Sequence, residues 1–213
     1  EDEKQKQDLE YKMLQSQINP HFLYNTLNSI KWMATIQGAT GISEMTTSLS
    51  RLLKSISKGT SLLIDIREEL SLLENYFTIQ SYRYGGTITM DIQVDNESLY
   101  NSEIIKFTLQ PLVENALYHG IKNKRGKGMI RIEGELDGED CILLITDNGK
   151  GMTPERLEQV RKGIRNRKAR ETDIYGLYNV NERIRLNFGE NYGITITSTY
   201  GEGTCVTVRL PQH

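Results

Sequence analysis

An apolar run passes directly into a glycine-rich loop in the sequence Cys141-Ile142-Leu143-Leu144-Ile145-Thr146-Asp147-Asn148-Gly149-Lys150-Gly151. The run over 141–146 is typical of a strand. Directly after it, Asp147 offers a carboxylate acceptor to an exocyclic amine, and Gly149 and Gly151 let the backbone approach a ligand closely. Turns use the same residue types, so an ordinary turn is the alternative interpretation of this motif.

Further strands are predicted on both sides of this stretch by alternating apolar and polar residues, at 87–94, 129–136, 194–199 and 204–210. Helical patterns lie between them, at 109–121, 154–163 and 177–188. Thr153 can serve as an N-cap, with Pro154 at the first helical position. This order of elements predicts an α/β sandwich, in which a mixed sheet of about five strands carries helices on one face.

The first part of the chain has a helical pattern instead. A long helix is predicted from residue 8 to about residue 37, and the glycines of Gly38-Ala39-Thr40-Gly41 then predict a loop. A second amphipathic helix follows from Ser43 to near Lys58, so the two helices form a hairpin. A capping box at Asp65-Ile66-Arg67-Glu68 predicts the start of a third helix.

These patterns together predict an α+β chain with two domains. We place the boundary between residues 65 and 66, so that 1–65 form a helical hairpin and 66–213 form the α/β sandwich.

Composition limits the classes of function. Of the 213 residues, 26 are basic and 28 acidic, and a net charge of −2 gives no whole-chain case for binding nucleic acid or an anionic membrane. The longest apolar run, 141–145, is far shorter than the roughly 20 residues that a spanning helix needs. The start at Glu1, without an initiator Met, suggests a fragment. Cys141 and Cys205 lack metal-ligand spacing, so we expect both to be buried and reduced.

His21 is the first candidate for chemistry. It follows Pro20, which tends to bend a helix, and helical geometry points its ring away from the apolar stripe that faces the hairpin's core. A solvent-facing imidazole is a competent phosphoryl acceptor near neutral pH. The alternative is a surface histidine beside an accidental kink.

A second candidate is the helical segment 109–120, which contains Glu114, Asn115 and His119. Asn115 and His119 are four residues apart and share a helix face. The amide oxygen of Asn115 suits Mg²⁺, which prefers oxygen ligands and shares its shell with waters and substrate phosphates. The alternative is the polar face of an ordinary surface helix.

Two further glycine motifs and a basic segment follow. Gly176 precedes the helix predicted from Leu177, whose first N–H groups can meet phosphate, and Gly203-Thr204 begins the last strand. Six of the ten residues at 161–170 are basic. They form either a solvated loop or a mobile lid whose cations help to neutralise a triphosphate.

In order and spacing, these motifs resemble those of a known family. Residues 9 to 212 resemble the cytoplasmic part of a sensor histidine kinase of the LytS/YesM type, with a GHKL-type (Bergerat) ATP-binding domain. Residues 17–28 resemble its phosphoacceptor box, 109–120 its N box, and 147–151 and 176–180 its two glycine boxes.

Site residues follow from this resemblance. It implies His21 as the phosphoacceptor, Asn115 as the Mg²⁺ ligand and Asp147 as the hydrogen-bond acceptor for the adenine amino group. The nucleotide site would also include His119, Gly149, Gly151, Gly176 and Leu177, with Thr204 near the adenine end. Many histidine kinases place an acidic residue after the phosphorylated histidine, but Phe22 stands here. The proton acceptor therefore stays open, with Glu114 as a candidate, and Asn25 could orient the ring.

The function implied by the resemblance is ATP-dependent autophosphorylation of His21, followed by transfer to an aspartate of a response regulator receiver domain. It also implies ATP and Mg²⁺ as cofactors, a homodimer in which two hairpins form a four-helix bundle, and the cytoplasmic portion of an inner membrane sensor. Two alternatives remain: a GHKL-type ATPase in which Glu114 activates water, and a nucleotide-sensing dimerisation module that transfers nothing.

Overall fold

The computed structural model describes residues 20–58, 61–121, 126–166 and 172–212. The helices are α1 (Pro20–Ile36), α2 (Thr40–Lys58), α3 (Ile66–Arg83), α4 (Glu97–Tyr100), α5 (Leu109–Asn115), α6 (Pro154–Arg165) and α7 (Thr172–Phe188). The strands are β1 (Leu63–Asp65), β2 (Ile88–Gln93), β3 (Glu103–Ile105), β4 (Gly128–Asp137), β5 (Asp140–Asp147), β6 (Gly193–Thr199) and β7 (Gly203–Pro211). In the described residues, none of the helices has both the length and the apolar character that crossing a membrane requires.

The main sheet has five strands in the order β2-β4-β5-β7-β6. β2 pairs with β4 in parallel and the other pairs are antiparallel, so the sheet is mixed, as predicted. β5 lies at its centre, where its last residue, Asp147, pairs with Ile130 of β4 and with Thr204 of β7. Apolar residues of the sheet and of α3, α5, α6 and α7 form one buried core. The predicted α+β fold class is confirmed.

A small two-stranded sheet was not predicted. β1 pairs antiparallel with β3, so that the segment following the hairpin is attached to the segment that precedes α5. Each strand has only three residues, too few for an alternating pattern to be recognised in the sequence.

The hairpin differs from its prediction at its loop. Gly41, predicted to lie in the loop, is part of α2, which begins at Thr40. A Cβ added at Gly41 would lie 2.8 Å from the ring of Tyr82, so this glycine lets α3 approach α2 closely. The prediction for residues 8–19, including the bend before Pro20, falls outside the described residues.

The two cysteines differ in burial. Cys141 is buried, and burial raises the pKa of its thiol. Cys205 is only half-buried, so the prediction that both cysteines are buried was wrong for Cys205. Alternation along β7 places Cys205 on the face opposite the buried Val206 and Val208.

Candidate functional site

A cavity of about 510 Å³ opens beside the carboxyl end of β5. Its walls come from α5 and the turn that follows it, the glycine-rich loop after β5, α6, α7 and the strands β6 and β7. Six of the predicted site residues line it: Asn115, His119, Asp147, Gly151, Leu177 and Thr204. The fold thus brings together residues that are up to 89 positions apart in the sequence.

The wall formed by α5 changes its helical geometry within the cavity. The α-helix ends at Asn115 and continues as a π-helix over Ala116–Ile121. π-Helical turns are rare in proteins overall, and those that do occur are often found at functional sites. Asn115 and His119 both line the cavity, as their shared face predicted. The sequence prediction of one helix over 109–121 was correct in extent but did not include the π-helical turn.

Asp147 also lines the cavity and is only 5% exposed. Its Oδ1 accepts a hydrogen bond of 2.8 Å from the backbone N–H of Gly149. A Cβ added at Gly120 would lie 2.7 Å from the same oxygen, so the carboxylate and the end of the π-helical turn are in close contact. A buried carboxylate that lines the cavity can accept a hydrogen bond from a donor bound there.

The glycines of the loop allow close backbone packing. Gly149 does not line the cavity: it is buried behind the wall, where an added Cβ would lie 2.3 Å from the backbone carbonyl carbon of Gly120. Gly151 lines the cavity with φ +64°, and an added Cβ would lie 1.9 Å from the backbone oxygen of Thr199. The loop therefore requires glycine at both positions.

Thr204 belongs to a hydrogen-bonded group at the start of β7. Its Oγ1 lies 2.9 Å from Oγ of Ser198, and Ser198 in turn accepts a hydrogen bond of 2.8 Å from the backbone N–H of Met152. Ser198 thereby joins β6 to the loop after Gly151. Ser198 was not among the predicted site residues, because a lone serine in a strand carries no motif.

The prediction for Gly176 was wrong in one respect. Gly176 lies inside α7, which begins at Thr172, and so it does not precede the helix. The early start has a packing reason: Ile174 is buried, and an added Cβ at Gly163 of α6 would lie 2.3 Å from its side chain. Leu177 does line the cavity, whereas Gly176 does not.

Lys150, Arg156 and Tyr200 are among the cavity residues that were not predicted as site residues. Arg156 lies in the first turn of α6, where the helix dipole disfavours a cation. That unfavourable position was a signal that could have marked Arg156 as functional. Lys150 stands within the glycine-rich loop itself, where its charge was also available as a signal.

The predicted basic lid is part of a helix over its first half. Residues 161–165 belong to α6, and Nε and Nη2 of Arg161 donate hydrogen bonds of 3.1 and 2.9 Å to the backbone oxygen of Ile196. This part of the prediction was wrong, because Arg161 is attached to an edge strand. Residues 167–170 lie outside the described part of the chain.

The two predicted catalytic residues do not line the cavity. His21 is exposed on α1, as predicted, and Nδ2 of Asn25 lies 3.3 Å from its Nδ1. Glu114 is exposed on α5 near Tyr76 of α3. Burial, together with the charge of Glu114, raises the pKa of Tyr76 to about 12.

The lining fits a nucleotide with a metal ion bound mainly by phosphates. It contains two cations, Lys150 and Arg156, besides the carboxylate of Asp147. In the described residues, no cluster of three His, Cys, Asp or Glu side chains could hold a metal by itself. The amide oxygen of Asn115, which lines the cavity, is of the type that Mg²⁺ accepts beside waters and substrate oxygens.

Two family models match the chain. Residues 101–213 match the family described as "Histidine kinase-, DNA gyrase B-, and HSP90-like ATPase", and residues 9–88 match the family described as "Histidine kinase". The second match covers His21, and the first covers the cavity.

Curated relatives match almost the whole chain. The sensor histidine kinase YesM of Bacillus subtilis is 37% identical over 96% of this chain and 33% of its own length. The sensor protein kinase HptS of Staphylococcus aureus is 29% identical over 98% of this chain and 39% of its own length. The chain therefore spans between a third and two fifths of the length of these relatives.

Solved structures show the same fold. The histidine kinase domain of a blue-light-activated histidine kinase from Erythrobacter litoralis has a TM-score of 0.52 at 16% identity, covering 90% of this chain and 96% of that domain. A nucleotide-free catalytic domain of the histidine kinase ThkA has a TM-score of 0.52 at 15% identity, covering 70% and 96%. The family matches show that the chain belongs to the histidine kinase-, DNA gyrase B- and HSP90-like ATPase family, among the histidine kinases of the LytS/YesM type.

Proposed function

We propose that the chain binds Mg·ATP in the cavity beside β5 and transfers the γ-phosphoryl group to His21. The observation that carries the proposal is the meeting of six predicted nucleotide-site residues around one cavity of about 510 Å³, which is in the size range of small-molecule sites. The histidine kinase match over 9–88 adds a phosphoacceptor segment that contains His21.

Within the cavity, different residues would contact different parts of the nucleotide. Asp147 would accept a hydrogen bond from the adenine amino group, since its buried carboxylate is held by Gly149 and faces the cavity. Asn115 would bind Mg²⁺, which supplies charge neutralisation at the phosphates. His119, Gly151, Leu177 and Thr204 would contact the nucleotide, and Gly149 and Gly176 would shape the backbone around it.

In the transfer step, a lone pair of an imidazole nitrogen of His21 forms the N–P bond while the bond between the γ-phosphorus and the bridging oxygen of ADP breaks. The ring proton must then leave to a base. Glu114 is our candidate, because it is an exposed carboxylate on the helix that carries Asn115. The contact with Asn25 would orient the ring.

A homodimer through the hairpin is part of the proposal. On α2, Ile42, Leu49 and Ile56 are each seven residues apart and exposed, and α1 exposes Trp32 and Ile36. A heptad spacing of apolar residues is typical of helices that pack together in bundles. A second copy of the hairpin would bury these faces in a four-helix bundle.

The domain boundary between residues 65 and 66 also remains a proposal. It is supported by Ile66, Leu70 and Leu73, which are buried from the first turn of α3 onwards in the same core as the main sheet. α3 therefore belongs with the ATP-binding half.

Two wider roles rest on the relatives alone. Their names describe sensor kinases, and this chain spans only part of their length. We therefore propose that a response regulator receiver domain accepts the phosphoryl group on an aspartate, and that the chain is the cytoplasmic portion of a membrane sensor.

Incubation of the chain with γ-labelled Mg·ATP tests the proposal. We expect a protein-bound label that is stable in alkali and labile in acid, that is lost in His21→Ala and that is kept in Lys31→Ala, a change at an exposed position on the same helix. Free phosphate without labelled protein would instead indicate an ATPase. Nucleotide binding with neither product would indicate a sensing module.

A further inference from the structure

The helix that carries Asn115 is capped by a side chain from another element. The backbone N–H groups of Phe107 and Leu109 each donate a hydrogen bond of 2.8 Å to the carboxylate of Glu69 in α3. Thr108, the residue at the usual capping position of α5, makes no capping bond, because its hydroxyl donates to the backbone oxygen of Ile105 at 2.6 Å. Glu69 therefore replaces the local N-cap from about 40 residues away.

Because Glu69 is buried, its carboxylate depends on these hydrogen bonds. Glu69 is 2% exposed, and burial raises the pKa of its carboxyl, whereas the N–H groups of the turn and the positive charge of Arg183 oppose that rise. A buried carboxylate is tolerated only when its lone pairs and charge are satisfied. Glu69 and the turn at 107–109 must therefore keep their relative positions.

The turn at 107–109 has a strained backbone, which its contacts with other elements must stabilise. Phe107 has φ +60°, a left-handed conformation that costs free energy for a residue other than glycine. Nη2 of Arg183, in α7, donates a hydrogen bond of 2.9 Å to the backbone oxygen of the neighbouring Lys106. The turn is thus fixed from α3 through Glu69 and from α7 through Arg183.

Asp147 and Asn115, which both line the cavity, are consequently held in place by different parts of the fold. Asp147 is placed by the central strand of the main sheet, through its pairing with β4 and β7. Asn115 is placed by α5, whose first turn depends on Glu69. We propose that Glu69 is a positioning residue that sets the place of Asn115, and so controls the metal-dependent part of nucleotide binding. The proposal rests on the proposed function insofar as Asn115 is the metal ligand.

Calorimetry of the full chain with a non-hydrolysable ATP analogue, in the presence and absence of Mg²⁺, tests this role. Glu69→Gln can no longer accept hydrogen bonds from both N–H groups. We therefore expect the factor by which Mg²⁺ increases the affinity for the analogue to fall by about tenfold. Losses of this size are typical when a residue that positions a metal ligand is replaced. The Mg²⁺-free affinity should stay within about twofold, since Asp147 keeps its support. Glu68→Gln, a change in the exposed carboxylate next to Glu69, should alter neither value.

A purely structural role would give a different pattern. An equal loss of affinity with and without Mg²⁺, or an unchanged gain from Mg²⁺, would overturn the proposal. If Glu69→Gln does not fold, Glu69→Asp keeps the charge but has a shorter reach, and we expect a smaller loss confined to the same Mg²⁺-dependent part. Failure to find phosphate on His21 would refute the proposed function but leave this result standing. Absence of any Mg²⁺ effect in the unchanged chain would overturn both.

Discussion

The two halves of the molecule solve the problem of burying apolar surface in different ways. The ATP-binding half contributes nearly all of the buried core, in which Ile104, Ile130 and Leu143 have no exposed surface. The hairpin leaves large apolar side chains in solvent: Trp32 is 68% exposed and Ile36 is 81% exposed. Isolated exposed apolar residues are common, but a row of them along paired helices indicates a surface that is covered in the functional state.

This difference separates the roles of the two halves. The cavity, with its glycine loop and carboxylate, is lined by described residues of a single chain. The hairpin carries the proposed phosphoacceptor and leaves Trp32 and Ile36 exposed, and in our proposal a second copy covers them. Changes on the exposed hairpin face should therefore leave nucleotide affinity intact, and changes in the cavity should leave dimer affinity intact.

The largest effect is expected at the exposed face of the hairpin. Replacing Ile36 by Glu would place a charge in the proposed dimer interface, and burying an unpaired charge costs several kcal/mol, so the dimer dissociation constant should rise at least about a hundredfold. Sedimentation measures this, and nucleotide affinity should not change. Lys31→Glu, a change at an exposed polar position of the same helix, is the control. A dimer of unchanged affinity in Ile36→Glu would remove this face from the interface.

A comparable but smaller change is expected from Asp147→Asn in the other half. Asn keeps the oxygen that accepts from Gly149 but turns the group facing the cavity into a potential donor. Hydrogen bonds to a charged group contribute about 1.5–3 kcal/mol, so affinity for an ATP analogue should fall about 10- to 100-fold while the dimer persists. Asp137→Asn, at the far end of the β4–β5 hairpin, serves as the control in calorimetry. Undiminished affinity would show that Asp147 does not contact the nucleotide.

A substitution in the glycine-rich loop should lower the free energy of unfolding. In Gly149→Ala the new methyl group would meet the backbone of Gly120, and we expect a loss of about 1–3 kcal/mol in the free energy of unfolding, as for overpacking. In Gly176→Ala no atom lies within 4 Å of the new methyl group, and a helix interior favours Ala by up to about 1 kcal/mol. Urea denaturation compares the two variants. Equal stability would mean that the loop is not tightly packed against the π-helical turn.

The smallest effect is expected where the halves meet. Nζ of Lys106, beside the Glu69-bound turn, donates a hydrogen bond of 2.5 Å to the backbone oxygen of Ser55 in the last turn of α2. A cation at a helix C-terminus contributes about 0.3–1 kcal/mol, so Lys106→Met should reduce amide hydrogen-exchange protection in that turn by a few-fold. Lys54→Met, at an exposed position on α2, should not. Identical exchange in both variants would show that this contact does not join the halves.

Local signals predicted much of this architecture. The N-cap at Asp65 is confirmed, since its Oδ1 accepts from the backbone N–H of Glu68 at 2.7 Å, and so is the N-cap at Thr153 with Pro154. Each of these signals lies within four residues of the feature that it specifies. The spacing of Asn115 and His119 likewise predicted that they share a helix face, and both line the cavity.

What the sequence did not predict depends on contacts between distant residues. The cap from Glu69 to Leu109 joins positions 40 residues apart, and no local pattern marks it. The early start of α7 depends on Ile174 packing against Gly163 of another helix. Cys205 is a different case, because the local alternation along β7 places it opposite the buried Val206 and Val208 and could have predicted its partial exposure.

Peptide mapping by mass spectrometry, after incubation with Mg·ATP and handling at alkaline pH, tests the central claim most directly. We predict one phosphoryl group on the peptide that contains His21, and a yield at least about tenfold lower when Asp147→Asn is treated with the same sub-saturating concentration of Mg·ATP. A phosphoryl group on His119 or on any other residue, or modification of His21 that does not depend on Asp147, would contradict the account.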